Sequence, residues 1–173
     1  MLAFVVTTII CFITYLLLTT GSGTLIGLWS PEEMILGLIL SLITGFISQS
    51  IFVKKDFRML NPVRWIMLLA YLIGPFFLSL AKANFDVAYR VITGKINPGI
   101  VKIKPDLKED LSITLLANSI TLTPGTLSVD IDEDTNELYI HWINVDEDAL
   151  KKKPVDCEYV CGGFPDWIRR IAE

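Results

Sequence analysis

The chain has 173 residues, of which 52% are hydrophobic and 20% charged, and its mean hydropathy is +0.53. The net charge of −4 conceals three stretches: residues 1–53 carry −2, residues 54–104 carry +7 and residues 105–173 carry −9. An acidic soluble part lacks the basic face that nucleic-acid binding requires, and three cysteines are too few for a disulfide-built secreted scaffold.

Leu2–Thr20 runs nineteen residues without a charge, close to the ~20 that cross a bilayer core. A cleaved signal peptide is the competing reading, since small residues follow at Thr19–Gly23. The absence of a basic leading region and the length of the apolar stretch favour a retained helix. After a short polar link, Gly21–Ser30, a helix start is written into Ser30-Pro31-Glu32-Glu33. Ser30 can cap, Pro31 forgoes an N–H that has no helical partner, and Glu33 can close a capping box. Met34–Val53 is again uncharged. Within it Gly37, Ser41 and Gly45 recur every fourth residue, a small-residue stripe that lets another helix approach closely in lipid.

A basic cluster follows at Lys54, Lys55, Arg58 and Arg64, and Asn61-Pro62 restarts the chain. Trp65–Ala81 is a third apolar run, interrupted by Gly74-Pro75. The helical pattern continues past it with Lys82, Asp86 and Arg90 in one charged stripe, and Gly94 is the expected stop. A helix of some thirty residues is about 45 Å long, more than the bilayer core, so its last turns belong at or above the interface. The positive-inside rule places Lys54–Arg64 in the cytoplasm, yet Lys82, Arg90, Lys95, Lys102 and Lys104 make the far flank basic too. Either one apolar segment does not cross completely or the N-terminus starts outside.

The soluble part reads as β-α-β-β. Ile100–Lys104 alternates like a half-buried strand, and Asp106–Ile120 has helical spacing with an acidic first turn. Thr123-Pro124-Gly125-Thr126 is a turn, and Leu127–Ile131 and Leu138–Ile143 are strands joined by the polar loop Asp132–Glu137. The expected fold class is therefore an α-helical membrane region of about three apolar helices followed by a small α+β domain. Residues 1–94 form the membrane part, 95–145 the domain, and 146–173 a C-terminal tail.

Catalytic chemistry is scarce. His141 is the single histidine and falls in a strand. The acids of Asp130–Glu137 lack the glycine and closing glutamate of a calcium loop. Cys157 and Cys161 supply two thiolates, and even with His141 they fall short of the four ligands of a structural zinc site. A disulfide between them is geometrically open, and two unpaired thiols are the default expectation. The first two apolar runs hold no ionisable group to carry protons or ions. No catalytic residue, cofactor or metal is expected.

Two segments carry a resemblance. Leu80-Ala-Lys-Ala-Asn-Phe-Asp-Val87 and Leu116-Ala-Asn-Ser-Ile-Thr-Leu-Thr-Pro-Gly-Thr126, followed by Leu138-Tyr-Ile-His-Trp142, resemble the E subunit of Mrp/Mnh multisubunit cation/proton antiporters. The similarity extends to about Val145. The same subunit type occurs in archaeal membrane-bound hydrogenases and sulfane-sulfur-reducing relatives. The resemblance implies a non-catalytic accessory subunit in a multi-pass membrane assembly, partnered by other subunits and the lipid bilayer, with its small domain in the cytoplasm. It leaves open whether the host is an antiporter, a hydrogenase or a sulfane reductase, and which ion is coupled. Candidate subunit-interface residues are the stripe Gly37, Ser41 and Gly45; Lys82, Asn84, Asp86 and Arg90 on the third helix; and Thr121, Thr123, Pro124, Gly125 and Thr126 at the turn. A self-contained membrane-anchored interaction module is the alternative.

Overall fold

The structure, a computed structural model, describes residues 2–21, 28–52 and 61–173. Lys54, Lys55 and Arg58 of the basic cluster, and most of the Gly21–Ser30 link, lie outside the described residues. The chain forms two compact units, Met1–Phe57 and Arg58–Glu173.

The first unit is a hairpin of α1 (Leu2–Leu18) and α2 (Pro31–Phe52). The capping box forms as the spacing requires: Glu33 N–H donates to Ser30 Oγ at 3.2 Å, and Ser30 N–H donates back to Glu33 Oε2 at 3.0 Å. Most large apolar side chains of both helices face outward, among them Leu17, Ile39 and Phe46. Such an exterior suits lipid and is untenable in water.

The second unit starts with α3 (Pro62–Tyr71), a π-helical turn (Leu72–Phe76) and α4 (Phe77–Thr93), which together form the continuous rod Pro62–Thr93. Pro75 sits inside the π turn, where the wider winding accommodates a residue that has no N–H to donate. Gly94 ends the rod in the left-handed conformation, φ +67°, its N–H donating to Arg90 O at 2.8 Å. Among the described residues, α2 and this rod are the helices long and apolar enough to cross a membrane; α1 has 17 residues.

The domain consists of β1 (Gly99–Ile103), α5 (Asp110–Leu122), β2 (Thr126–Asp132), β3 (Glu137–Trp142), a 3-10 turn (Ala149–Lys151), α6 (Glu158–Cys161) and α7 (Phe164–Ala172). Both neighbours of the central β3 run antiparallel to it, giving the order β1-β3-β2. Lys102 of β1 pairs with Glu137 of β3 at 2.5 Å. The contact raises the lysine's pKa and lowers the glutamate's, each chiefly through their shared hydrogen bond.

Helix α5 starts at Asp110 rather than at the expected Asp106. Asp106 adopts φ +52°, which a right-handed helix cannot contain. The α5 N-terminus is closed instead by the side chain of Glu173, whose Oε1 accepts from Lys108 N–H at 2.6 Å and Ser112 Oγ–H at 3.0 Å. Burial opposes charge on this carboxyl. The hydrogen bonds from Lys108, Ser112 and Glu109 outweigh that effect and hold its pKa below the usual range.

Residues 149–172, in the segment that the sequence sets apart as a tail, supply much of the core: Ala149, Val155, Cys161, Phe164, Ile168 and Ile171 are all buried. Cys157 and Cys161 are joined by a disulfide, with Cα atoms 5.4 Å apart, which corrects the expectation of two free thiols. The short helix α6 brings the two residues to one side, within bridging distance.

Candidate subunit interface

The small-residue stripe of α2 is packed against α1. Ser41 is buried, and a Cβ added at Gly45 would stand 2.2 Å from Thr8 Oγ1. At Gly37 an added Cβ would stand 2.4 Å from the Tyr15 ring. Thr8 opposing Gly45 while Tyr15 opposes Gly37 makes the pairing antiparallel. Removing side chains from α2 at these two positions creates the space that Thr8 and Tyr15 fill. The stripe is thus occupied by this chain's own α1.

On the rod, Asp86 and Arg90 form a two-pronged ion pair, with Arg90 Nε–Asp86 Oδ2 at 2.6 Å and Nη2–Oδ1 at 3.0 Å. Arg90 also donates from Nη1 to Lys95 O at 3.1 Å. Asn84 Nδ2 donates to Leu80 O one turn back, and Lys82 is exposed with no ion-pair partner among the described residues. Asp86 therefore pairs toward the helix C-terminus and leaves the Lys82 ammonium free.

The Thr123–Thr126 turn lies against this part of the rod. Gly125 has φ +91°, and a Cβ there would meet Ile143 Cγ2 at 3.0 Å and Val87 Cγ2 at 3.3 Å. Only a residue without a side chain satisfies both the backbone angle and the closeness. The turn hydroxyls are used internally. Thr126 Oγ1 donates to Ile120 O at 2.7 Å, Thr123 Oγ1 donates to Ser119 O at 2.8 Å, and Thr121 Oγ1 accepts from Ser128 N–H at 3.1 Å. What the turn offers outward is backbone and the Pro124 ring. The two candidate segments, far apart in sequence, meet at Val87 and Gly125.

A second set of contacts escaped the sequence reading. Arg64 Nη1 donates to Ile171 O at 2.7 Å at the end of α7, and Tyr71 Oη donates to Ser119 Oγ at 2.7 Å in α5. Tyr71, Phe76 and Phe164 form a ring cluster with centroids 5.7–6.1 Å apart. Arg64 and Tyr71 lie seven residues apart, on one helix face. Two polar-tipped residues at that spacing in an apolar run were the available signal of a buried, non-lipid face.

Among the described residues no three His, Cys, Asp or Glu side chains come together as metal ligands would. His141 is half-buried in β3, opposite Ile100 and Leu127.

Comparison with known proteins identifies the family. The sequence profile of a family described as "Na+/H+ ion antiporter subunit" matches residues 8–159. The E subunit of the Na+/H+ antiporter of Alkalihalophilus pseudofirmus is 39% identical over 119 residues, spanning 68% of this chain and 72% of that protein. The E1 subunit of the Staphylococcus haemolyticus Na+/H+ antiporter is 36% identical over 153 residues, 85% of this chain and 87% of that one. Among solved structures, a chain of the membrane-bound sulfane sulfur reductase, an archaeal respiratory membrane complex, superposes with a TM-score of 0.75 at 35% identity over 98% of both chains. The chain belongs to the family of Na+/H+ antiporter E subunits.

Proposed function

We propose that this chain is a non-catalytic accessory subunit of a membrane complex: an Mrp-type Na+/H+ antiporter, or a respiratory complex such as the sulfane sulfur reductase whose membrane chain it matches almost end to end. The observation that carries the reading is a chain of this family whose apolar helices hold no Asp, Glu, Lys, Arg or His across Leu2–Leu18 or Met34–Phe52. Ion paths through a bilayer are built from such groups, so translocation belongs to partner subunits and this chain supports their assembly.

Docking runs through the edge formed by Lys82, Asn84 and Asp86 together with the Thr121–Thr126 turn, and the domain lies in the cytoplasm. The free Lys82 ammonium beside an Asp86 carboxylate supplies both signs of charge to a neighbour. Within this chain the Asp86–Arg90 pair, one turn apart on a helix with Asp86 half-exposed, adds only about 0.3–0.5 kcal/mol, too little to account for the fold. An Asp86→Ala variant should insert into membranes normally while co-purifying less with the large membrane subunits. Intact co-purification with abolished cation/proton exchange would place Asp86 on an ion path and defeat the docking account.

A further inference from the structure

The Pro62–Thr93 rod is long and apolar enough to span a bilayer, but the soluble domain lies along its side. Contacts run from Arg64 with α7, through Tyr71 with α5 and Phe76 with Phe164, to Val87 with the Gly125 turn. At 1.5 Å per residue, Arg64 to Val87 covers about 35 Å, as much as the ~30 Å of hydrocarbon in a membrane. If the rod crossed, the domain would have to sit inside the lipid with it. Helix α7, packed on α3, carries the exposed charges Asp166, Arg169 and Arg170. A charge inside hydrocarbon costs up to about 2.5–3.5 kcal/mol, and an open sheet edge is not tolerated there at all.

Away from the domain the rod presents a stripe of exposed apolar side chains. Ile66, Leu69, Ile73, Phe77, Phe85 and Ile92 recur at helical spacing over its whole length and are 57–84% exposed. A soluble protein does not leave such a stripe in water. Charges flank it: Lys82 and the Asp86–Arg90 ion pair lie beside its last third, and Lys95 follows the end of the rod. Trp65, half-exposed near its start, suits the headgroup level. Residues 53–61, a short basic link, tie the rod to the end of a lipid-suited hairpin.

We propose that the rod lies in the plane of the membrane surface, its apolar face immersed in lipid and its other face carrying the domain, so that the chain crosses the bilayer twice, through α1 and α2. Lys95, just past the end of the rod, then sits among anionic headgroups, as in other surface-lying amphipathic helices. This also accounts for the basic residues at both ends of the third apolar run, because both ends are on one side. Nothing in it depends on which complex hosts the chain.

Topology tests the proposal without assuming which side is cytoplasmic. Thr20→Cys, at the turn after α1, and Asp134→Cys, in the β2–β3 loop, are both exposed positions. They are introduced singly into the full chain, with the parent as labelling control. Two crossings put them on opposite sides of the membrane toward an impermeant maleimide; labelling from the same side means that the rod crosses. The absolute side reached by Asp134→Cys separately tests the cytoplasmic placement. Depth is read from nitroxides at Ile66→Cys, Ile73→Cys and Phe85→Cys in vesicles of equimolar phosphatidylcholine and phosphatidylglycerol. Equal, shallow depths are expected. A depth difference approaching the roughly 28 Å between residues 66 and 85 would overturn the proposal. So would loss of lipid-dissolved oxygen contact at all three sites in the complex isolated through a tag on this chain, because a protein partner would then cover the face.

Discussion

Substituting Gly45 by alanine should loosen the α1–α2 hairpin, and the geometry says by how much. The new Cβ would stand 2.2 Å from Thr8 Oγ1 and 3.2 Å from both Thr8 Cβ and Thr8 N. Rotating the hydroxyl away relieves the first contact, but the backbone nitrogen cannot move without the helix. Overpacking of this kind costs roughly 1–3 kcal/mol. Thr8 provides the compensating change. Its Oγ1 is buried without a hydrogen-bond partner among the described residues, so Thr8→Ala discards a group already carrying a desolvation penalty. The double variant Thr8→Ala/Gly45→Ala should recover part of the loss, with a coupling on the order of 0.5–3 kcal/mol. Gly37→Ala should cost less, because its obstacle is the ring of a half-buried tyrosine that can swing outward. Unfolding of the full chain in dodecyl maltoside micelles by added dodecyl sulfate, followed by tryptophan fluorescence, measures all four. A Gly45→Ala variant as stable as the parent, or a double variant no better than Gly45→Ala alone, would refute the packing argument.

Two further outcomes follow from contacts inside the second unit. Tyr71→Phe deletes the buried hydrogen bond to Ser119, while Ser119 still donates to Leu115 O; a loss of about 1 kcal/mol in thermal or chemical unfolding is expected, with the domain's circular dichroism unchanged. Glu173→Gln weakens the charged cap on α5 by about 1 kcal/mol at neutral pH. Because the folded carboxyl has a lowered pKa, its contribution is complete above the unfolded value near 4.3 and fades as pH falls through the folded one. The parent's advantage over Glu173→Gln should therefore shrink on acidification below about pH 4.3, and a constant difference across that range would contradict the cap.

Local signals were legible residue by residue. Ser30 and Glu33 close a capping box because that exchange needs only neighbours three apart, and Gly94 ends the rod because a left-handed residue favours glycine wherever it occurs. The strand–helix–strand–strand order and the Pro124-Gly125 turn follow from periodicity and turn chemistry in the same way. Family membership, too, could be read from two short segments, Leu80–Val87 and Leu116–Thr126.

Other features required the tertiary structure. The helix start at Asp110 rather than Asp106 depends on Glu173, more than sixty residues away, taking the place of a local cap. The fate of residues 146–173 was hidden because short apolar groups such as Val155 and Phe164 show their purpose only beside the core they complete. Asp86 had two cations at equal spacing, and side-chain placement chose Arg90. The third apolar run posed the largest ambiguity. Hydropathy reports how much apolar surface a helix carries and is silent about what covers each face. The docking of α5, α7 and the Gly125 turn along one side of Pro62–Thr93 distinguishes a face buried against protein from one left exposed, because only packing assigns the apolar faces of one helix to different surroundings.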